Sequence, residues 1–158
     1  MDKTYHIDVI FKQIPLLRDF VYHYVAYKEL YSRGRGPEGE EKFWTYIVNA
    51  HLSQAIINWV TVFEVVSDQS RWNRMDLKLD PKRKTREEFV SDLLTHIQFT
   101  EQEWKQYWNE VSEFRDKFVA YGDILFEKPA AYLDIAYKAA RFYDRWIREQ
   151  VNGILIMD

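Results

Sequence analysis

The segment Glu113-Phe-Arg-Asp-Lys-Phe-Val-Ala-Tyr-Gly-Asp123 holds the most suggestive grouping of reactive side chains in this 158-residue sequence. Trp104, Trp108, Val111 and Phe118 recur at helical spacing and define an apolar stripe, and Arg115 falls on that stripe. A guanidinium there is costly to desolvate unless something pairs with it. Asp116 or Asp123 could be that partner. So could a bound phosphate, whose oxygens suit the planar fork of arginine. Tyr121 closes the group with a phenol able to donate a hydrogen bond.

A second candidate is electrostatic. Between Arg71 and Arg86 lie seven basic residues, including the run Lys82, Arg83 and Lys84, opposed only by Asp76 and Asp80. In a chain of net charge −3 this segment could focus phosphate at one place, or it could be a solvated loop. A second basic line, Lys138, Arg141, Arg145 and Arg148, has helical spacing. Asp134 and Asp144 each precede a base of that line by four residues, which predicts an exposed ion-pair face.

The third candidate is uncharged. His51, Gln54, Asn58 and Thr61 share one helical face. Solvent-facing stripes ordinarily carry Lys and Glu, so these side chains are expected either to hydrogen-bond between helices or subunits, or to form the polar wall of a cleft. On the second reading His51 and Asn58 line it.

Other motifs fail on context. Gly34-Arg-Gly36-Pro-Glu-Gly39 matches the dinucleotide G-x-G-x-x-G pattern, but a helix precedes it where the chemistry needs a strand. Pro37 removes a donor and Glu38, Glu40 and Glu41 would repel phosphate, so the segment reads as an inter-helix loop. His6, His23, His51 and His96 show no H-E-x-x-H or E-x-x-H spacing, and no metal or cofactor is expected. Without cysteine, disulfides and thiolate catalysis are excluded. No P-loop or G-x-S-x-G elbow occurs.

Five predicted helices position these groups. The first covers about 7–32, with Ile7, Ile10, Ile14, Leu17, Val21 and Tyr24 on one stripe and Phe20, Tyr24, Tyr27 and Tyr31 on another. Pro15 either kinks it or marks its true start. The second covers about 40–66, and its 21 residues from Phe43 to Phe63 carry no formal charge. They are too polar for a lone lipid-facing span, so this helix should be central, surrounded by other helices or by a second subunit. Capping-box patterns open a third helix at Thr85 (to about Ile97) and a fourth at Thr100 (to about Ala120, stopped by Gly122). The fifth follows Pro129 and runs to about Val151, with Ile135, Ala139, Phe142 and Trp146 inward and Asn152-Gly153 ending it. Ile154 to Met157 reads as a short apolar tail. Five glycines and four prolines in a chain of this length agree with long helices and short connections. The expectation is an all-α, single-domain bundle over 1–158. The N-terminal residues lack an apolar leader core, which makes a cytoplasmic location the default.

Arg115-Asp-Lys-Phe-Val-Ala followed by Tyr121 resembles the Arg-x(4–6)-His motif of the HEPN superfamily, small helical domains that include RNases of toxin–antitoxin, phage-defence and CRISPR systems. The stretch from His51 to Phe63, followed by Asp68 and Trp72, also resembles the central helix of prokaryotic HEPN-like proteins. The resemblance covers the second to the fifth helix. It implies a homodimer whose two motifs face one cleft, with RNA and an antitoxin-type protein as partners. Carried across, Arg115 holds the scissile phosphate and Asp116 is the polar residue following it.

Tyr121 stands where the family has histidine. A phenol of pKa ~10 is ionised in only about one part in a thousand at pH 7, whereas imidazole at ~6.5 is well matched to proton transfer. Metal-independent cleavage is therefore expected to be weak or lost. Two alternatives follow from the residues. One is an interaction or dimerisation module built on Tyr24, Tyr27, Tyr31, Trp104 and Trp108. The other is an RNase that uses His51 as its base.

Overall fold

The computed structural model describes residues 4–34, 36–67, 86–120 and 133–155, and among these it is all-α. Helix α1 spans Thr4–Ser32, α2 Glu41–Ser67, α3 Arg86–Ile97, α4 Glu101–Phe114 and α5 Asp134–Leu155. A π-helical segment, Arg115–Ala120, continues α4. No described helix is long and apolar enough to cross a membrane.

Local chemistry sets the turns. The Thr100 side chain accepts from the Glu103 amide at 3.2 Å, and the Glu103 carboxylate accepts from the Thr100 amide at 2.7 Å. This is the expected reciprocal cap, and the Thr100 amide and hydroxyl, both donating to the Glu103 carboxylate, hold its carboxyl below its ordinary pKa. Between α1 and α2, all three glycines of the failed nucleotide motif have φ between +76° and +86°. They are there to turn the chain. At Gly36 a Cβ would also lie 2.6 Å from the Trp44 ring, so the indole packs directly on bare backbone.

The core is one cluster drawn from every described helix. Leu17, Phe20 and Tyr24 of α1 meet Ile56, Trp59 and Phe63 of α2, with Phe89 and Leu93 of α3, Trp104 and Tyr107 of α4, and Ala136, Tyr143 and Ile147 of α5. Aromatic contacts run through it: Trp59 stacks on Phe63 at 4.6 Å and meets Tyr107 edge-on at 5.8 Å. Tyr24, Tyr27 and Trp104, expected at a partner interface, are buried here instead, because their stripes are the inward faces of α1 and α4. Burial pushes the Tyr27 hydroxyl up to about 12 and also raises that of Tyr24, whose carboxylate neighbour Asp134 adds to the effect.

The start of α5 is held from three sides. The Ala136 amide, one of the first-turn donors that lack an intrahelical acceptor, donates to the Tyr107 hydroxyl at 3.0 Å. Trp59 Nε1 donates to the Ala136 carbonyl at 3.1 Å. Asp134 accepts from the Tyr24 hydroxyl and from Lys28 Nζ, the latter at 3.2 Å. The Tyr24 bond and Lys28 hold its carboxyl below the usual range. Asp134 thus turns to α1 rather than pairing with Lys138 on the outer face. Asp144 does make its expected bond, to Arg148 at 2.9 Å.

Three features differ from expectation. Helix α1 starts at Thr4 rather than at Pro15, which lies inside it; Pro15 and Phe11 both lie on the exposed side, where water can satisfy the carbonyl that proline leaves unpaired. Helix α5 continues past Asn152 and Gly153, since an interior glycine costs only about 1 kcal/mol and need not stop a helix. Helix α2 is enclosed over its middle, where no residue from 51 to 60 is exposed, but not near its N-terminus. There Phe43 and Tyr46 are 63% and 62% exposed. Freedom from charge marks this helix without enclosing its whole length within the chain.

Candidate functional site

Arg115 sits where α4 changes its winding. Its amide is shared between the carbonyls of Val111 and Ser112, and the π-helical turn begins at this residue. The buried stripe of α4 runs through Trp104, Tyr107, Val111 and Phe114, which leaves Arg115 beside it. Val111 and Phe114 are buried, whereas the Arg115 side chain is 35% exposed. The guanidinium is not buried on a core stripe, as simple helical spacing predicted, but lies at its margin. Its Nε donates to Asp116 Oδ1 at 2.8 Å, so the expected partner is the next residue in sequence. The two terminal amino groups of Arg115 have no partner among the described residues, which leaves the bidentate edge of the fork open. Lys117 pairs with Glu113 one turn back. The π segment packs against α2.

Other members of the predicted site do not gather there. His51 and Asn58 belong to α2, and no hydrogen bond or ion pair joins either to Arg115 among the described residues. The polar stripe is satisfied largely by itself: Gln54 Nε2 donates to Asn58 Oδ1 at 3.0 Å, and Thr61 donates back to the Ile57 carbonyl. Tyr121, Gly122 and Asp123, the basic run Lys82, Arg83 and Lys84, and the Thr85 cap lie outside the described residues, as do the side chains of His6, Ile7, Ile10 and Phe118. Arg86, the last basic residue of that run, reaches back to donate to the Val66 carbonyl at 3.2 Å.

Two features escaped sequence reasoning. A cleft of about 500 Å³ opens where the end of α2 meets α3 and α4, lined by Glu64, Arg86, Trp104, Lys105 and Trp108 among others. Its two acids, Glu64 and Glu101, balance Arg86 and Lys105, and it shares no residue with the Arg115 turn. The second feature is a histidine pair. His23 Nδ1 and His51 Nδ1 lie 2.9 Å apart across α1 and α2, with Tyr22 edge-on to His23. Burial and the neighbouring His51 lower the His23 pKa, and Asp19 partly offsets this. The signal was present in the sequence: two helices joined by a short loop centred near Gly36 are antiparallel, which sets position 23 opposite position 51.

Among the described residues no group of three or more His, Cys, Asp or Glu side chains is arranged to hold a metal ion. No protein-family model matches the chain, and no curated protein or solved structure matches it significantly. The case for a function therefore rests on the residues themselves.

Proposed function

We propose that this chain is a HEPN-like, RNA-associated helical domain in which Arg115 holds a phosphate and cleavage is weak or lost. The observation that supports this most is the state of Arg115. It is half-exposed at a π-helical turn, a rare geometry frequent at functional sites, with its paired amino groups facing no acceptor among the described residues. A structural arginine in a bundle would be expected to use those donors on carbonyls or carboxylates. Asp116 on Nε orients the fork without occupying its bidentate edge.

Tyr121 follows Arg115 at the family's histidine position and supplies a hydrogen-bond donor rather than a base at neutral pH. RNA cleavage without added metal, by the protein beside its Tyr121→His variant, tests this directly. Cleavage by the variant alone supports a phosphate site that has lost its base. Cleavage by neither removes the catalytic ancestry from the account.

A second reading has its own support. Tyr22 on α1 and Phe43 and Tyr46 on α2 are each more than 60% exposed, and α2 carries no charge from residue 43 to 63. Aromatic, charge-poor surface is typical of interface cores. On this reading the chain is a dimerisation or protein-interaction module. Light scattering at tens of micromolar distinguishes a dimer that Tyr46→Lys dissociates from a monomer indifferent to it.

A further inference from the structure

We propose that His23 and His51 form a two-imidazole chelate for a divalent transition-metal ion of square-planar or octahedral preference, clasping α1 to α2. The Nδ1 atoms stand 2.9 Å apart. For metal–imidazole bonds of about 2.0–2.1 Å, that separation subtends an angle of about 90° at the ion. This is the cis angle of square-planar and octahedral coordination. A tetrahedral ion would need the nitrogens about 3.3 Å apart, so Cu(II) and Ni(II) suit the pair better than Zn(II).

The two Nδ1 atoms are brought together before any ion arrives. Each ring needs to turn only by about 45° for its lone pair to leave the line of the hydrogen bond and aim at a shared ion. Each ring belongs to a different long helix, and those helices pack side by side. The imidazole planes are inclined at 43°, and Tyr22 stands edge-on to both rings, at 5.2 and 6.2 Å. Both histidines are only half-buried, which leaves an entry path. Without metal, one Nδ1–H donates to the other Nδ1. On binding, that proton moves to Nε2 of the same ring, where neither histidine has a hydrogen-bond partner among the described residues, and both Nδ1 lone pairs then face the ion. Asp19 lies one turn before His23, but its carboxylate accepts from Arg18 at 3.1 Å. The remaining coordination positions fall to water. This site is independent of Arg115 and of any RNA.

Calorimetric titration of the full chain with Cu(II) and with Ni(II) tests the assignment. The expected result is one ion per chain, with affinity falling at least about tenfold in His23→Gln and in His51→Gln, because each variant turns an intramolecular second ligand into none. His96→Gln should bind like the parent, since His96 packs on Phe142 away from the pair. Equal affinity in all four proteins, or no binding by the parent, overturns the proposal and leaves the pair as an inter-helix hydrogen bond. If a glutamine variant does not fold, electron paramagnetic resonance of the Cu(II)-loaded parent decides. Two equatorial imidazole nitrogens are expected, and one or none refutes the chelate.

Discussion

Two tyrosines give opposite predictions for the same substitution. Tyr107 is buried, and its hydroxyl accepts the Ala136 amide at 3.0 Å. Tyr107→Phe keeps the ring and its edge-on contact with Trp59 but leaves a first-turn N–H of α5 without its acceptor in the core. An orphaned buried donor costs about 1–3 kcal/mol. That is a substantial share of the roughly 5–15 kcal/mol by which a domain is stable. In a chain of this length, Tm should fall by about 2–4 °C for each kcal/mol of destabilisation.

Tyr143 is fully buried, yet its hydroxyl has no hydrogen-bond partner among the described residues, and burial raises its pKa well above that of free tyrosine. Tyr143→Phe removes a desolvated hydroxyl that receives nothing in return, so stability should stay level or rise. Urea and thermal unfolding followed by circular dichroism would measure both. A neutral Tyr107→Phe together with a destabilised Tyr143→Phe would refute the hydrogen-bond accounting for α5.

Further predictions concern the loop and the histidine pair. Gly36→Ala should destabilise by more than the about 1–2 kcal/mol of a left-handed non-glycine residue, because its Cβ also meets the Trp44 ring, whereas Gly34→Ala faces open space and should show only the backbone cost; paired thermal melts check the order. Because the folded-state pKa of His23 lies below 6.5, the unfolded chain takes up this proton first. The contribution of His23 is thus fully present above about pH 6.5 and is lost as pH falls through the window beneath it. Urea melts across pH 5–8 should show stability dropping on the acid side, with a shallower slope in His23→Gln.

What the sequence made legible was local. The Thr100–Glu103 cap, the glycine loop and the extent of α2 depend on neighbours a few residues apart, and pattern alone placed them. Tertiary choices were not legible. Asp134 has Lys138 one turn ahead, yet it turns toward α1, where the Tyr24 hydroxyl and Lys28 reach it. Spacing alone put Arg115 on a stripe with Trp104, Trp108 and Val111, but α4 buries the neighbouring line Trp104, Tyr107, Val111 and Phe114, so Arg115 falls at its margin. The charge-free run of α2 gave the type of its surface but not its depth, since residues 51–60 are covered while Phe43 and Tyr46 near its start stand out. Motif spacing along the chain tests histidines only within one helix, and the meeting of His23 and His51 depends on how two helices pair.

The phosphate role of Arg115 is the central claim, and RNA affinity measured against salt tests it most directly. Arg115 is half-exposed and paired only with Asp116 among the described residues, so Arg115→Ala should leave the fold intact. The account predicts weaker binding of single-stranded RNA at low salt. It also predicts a slope of log affinity against log salt shallower by about 0.7 for each phosphate that Arg115 neutralises. Unchanged affinity and slope in a folded Arg115→Ala protein would contradict it.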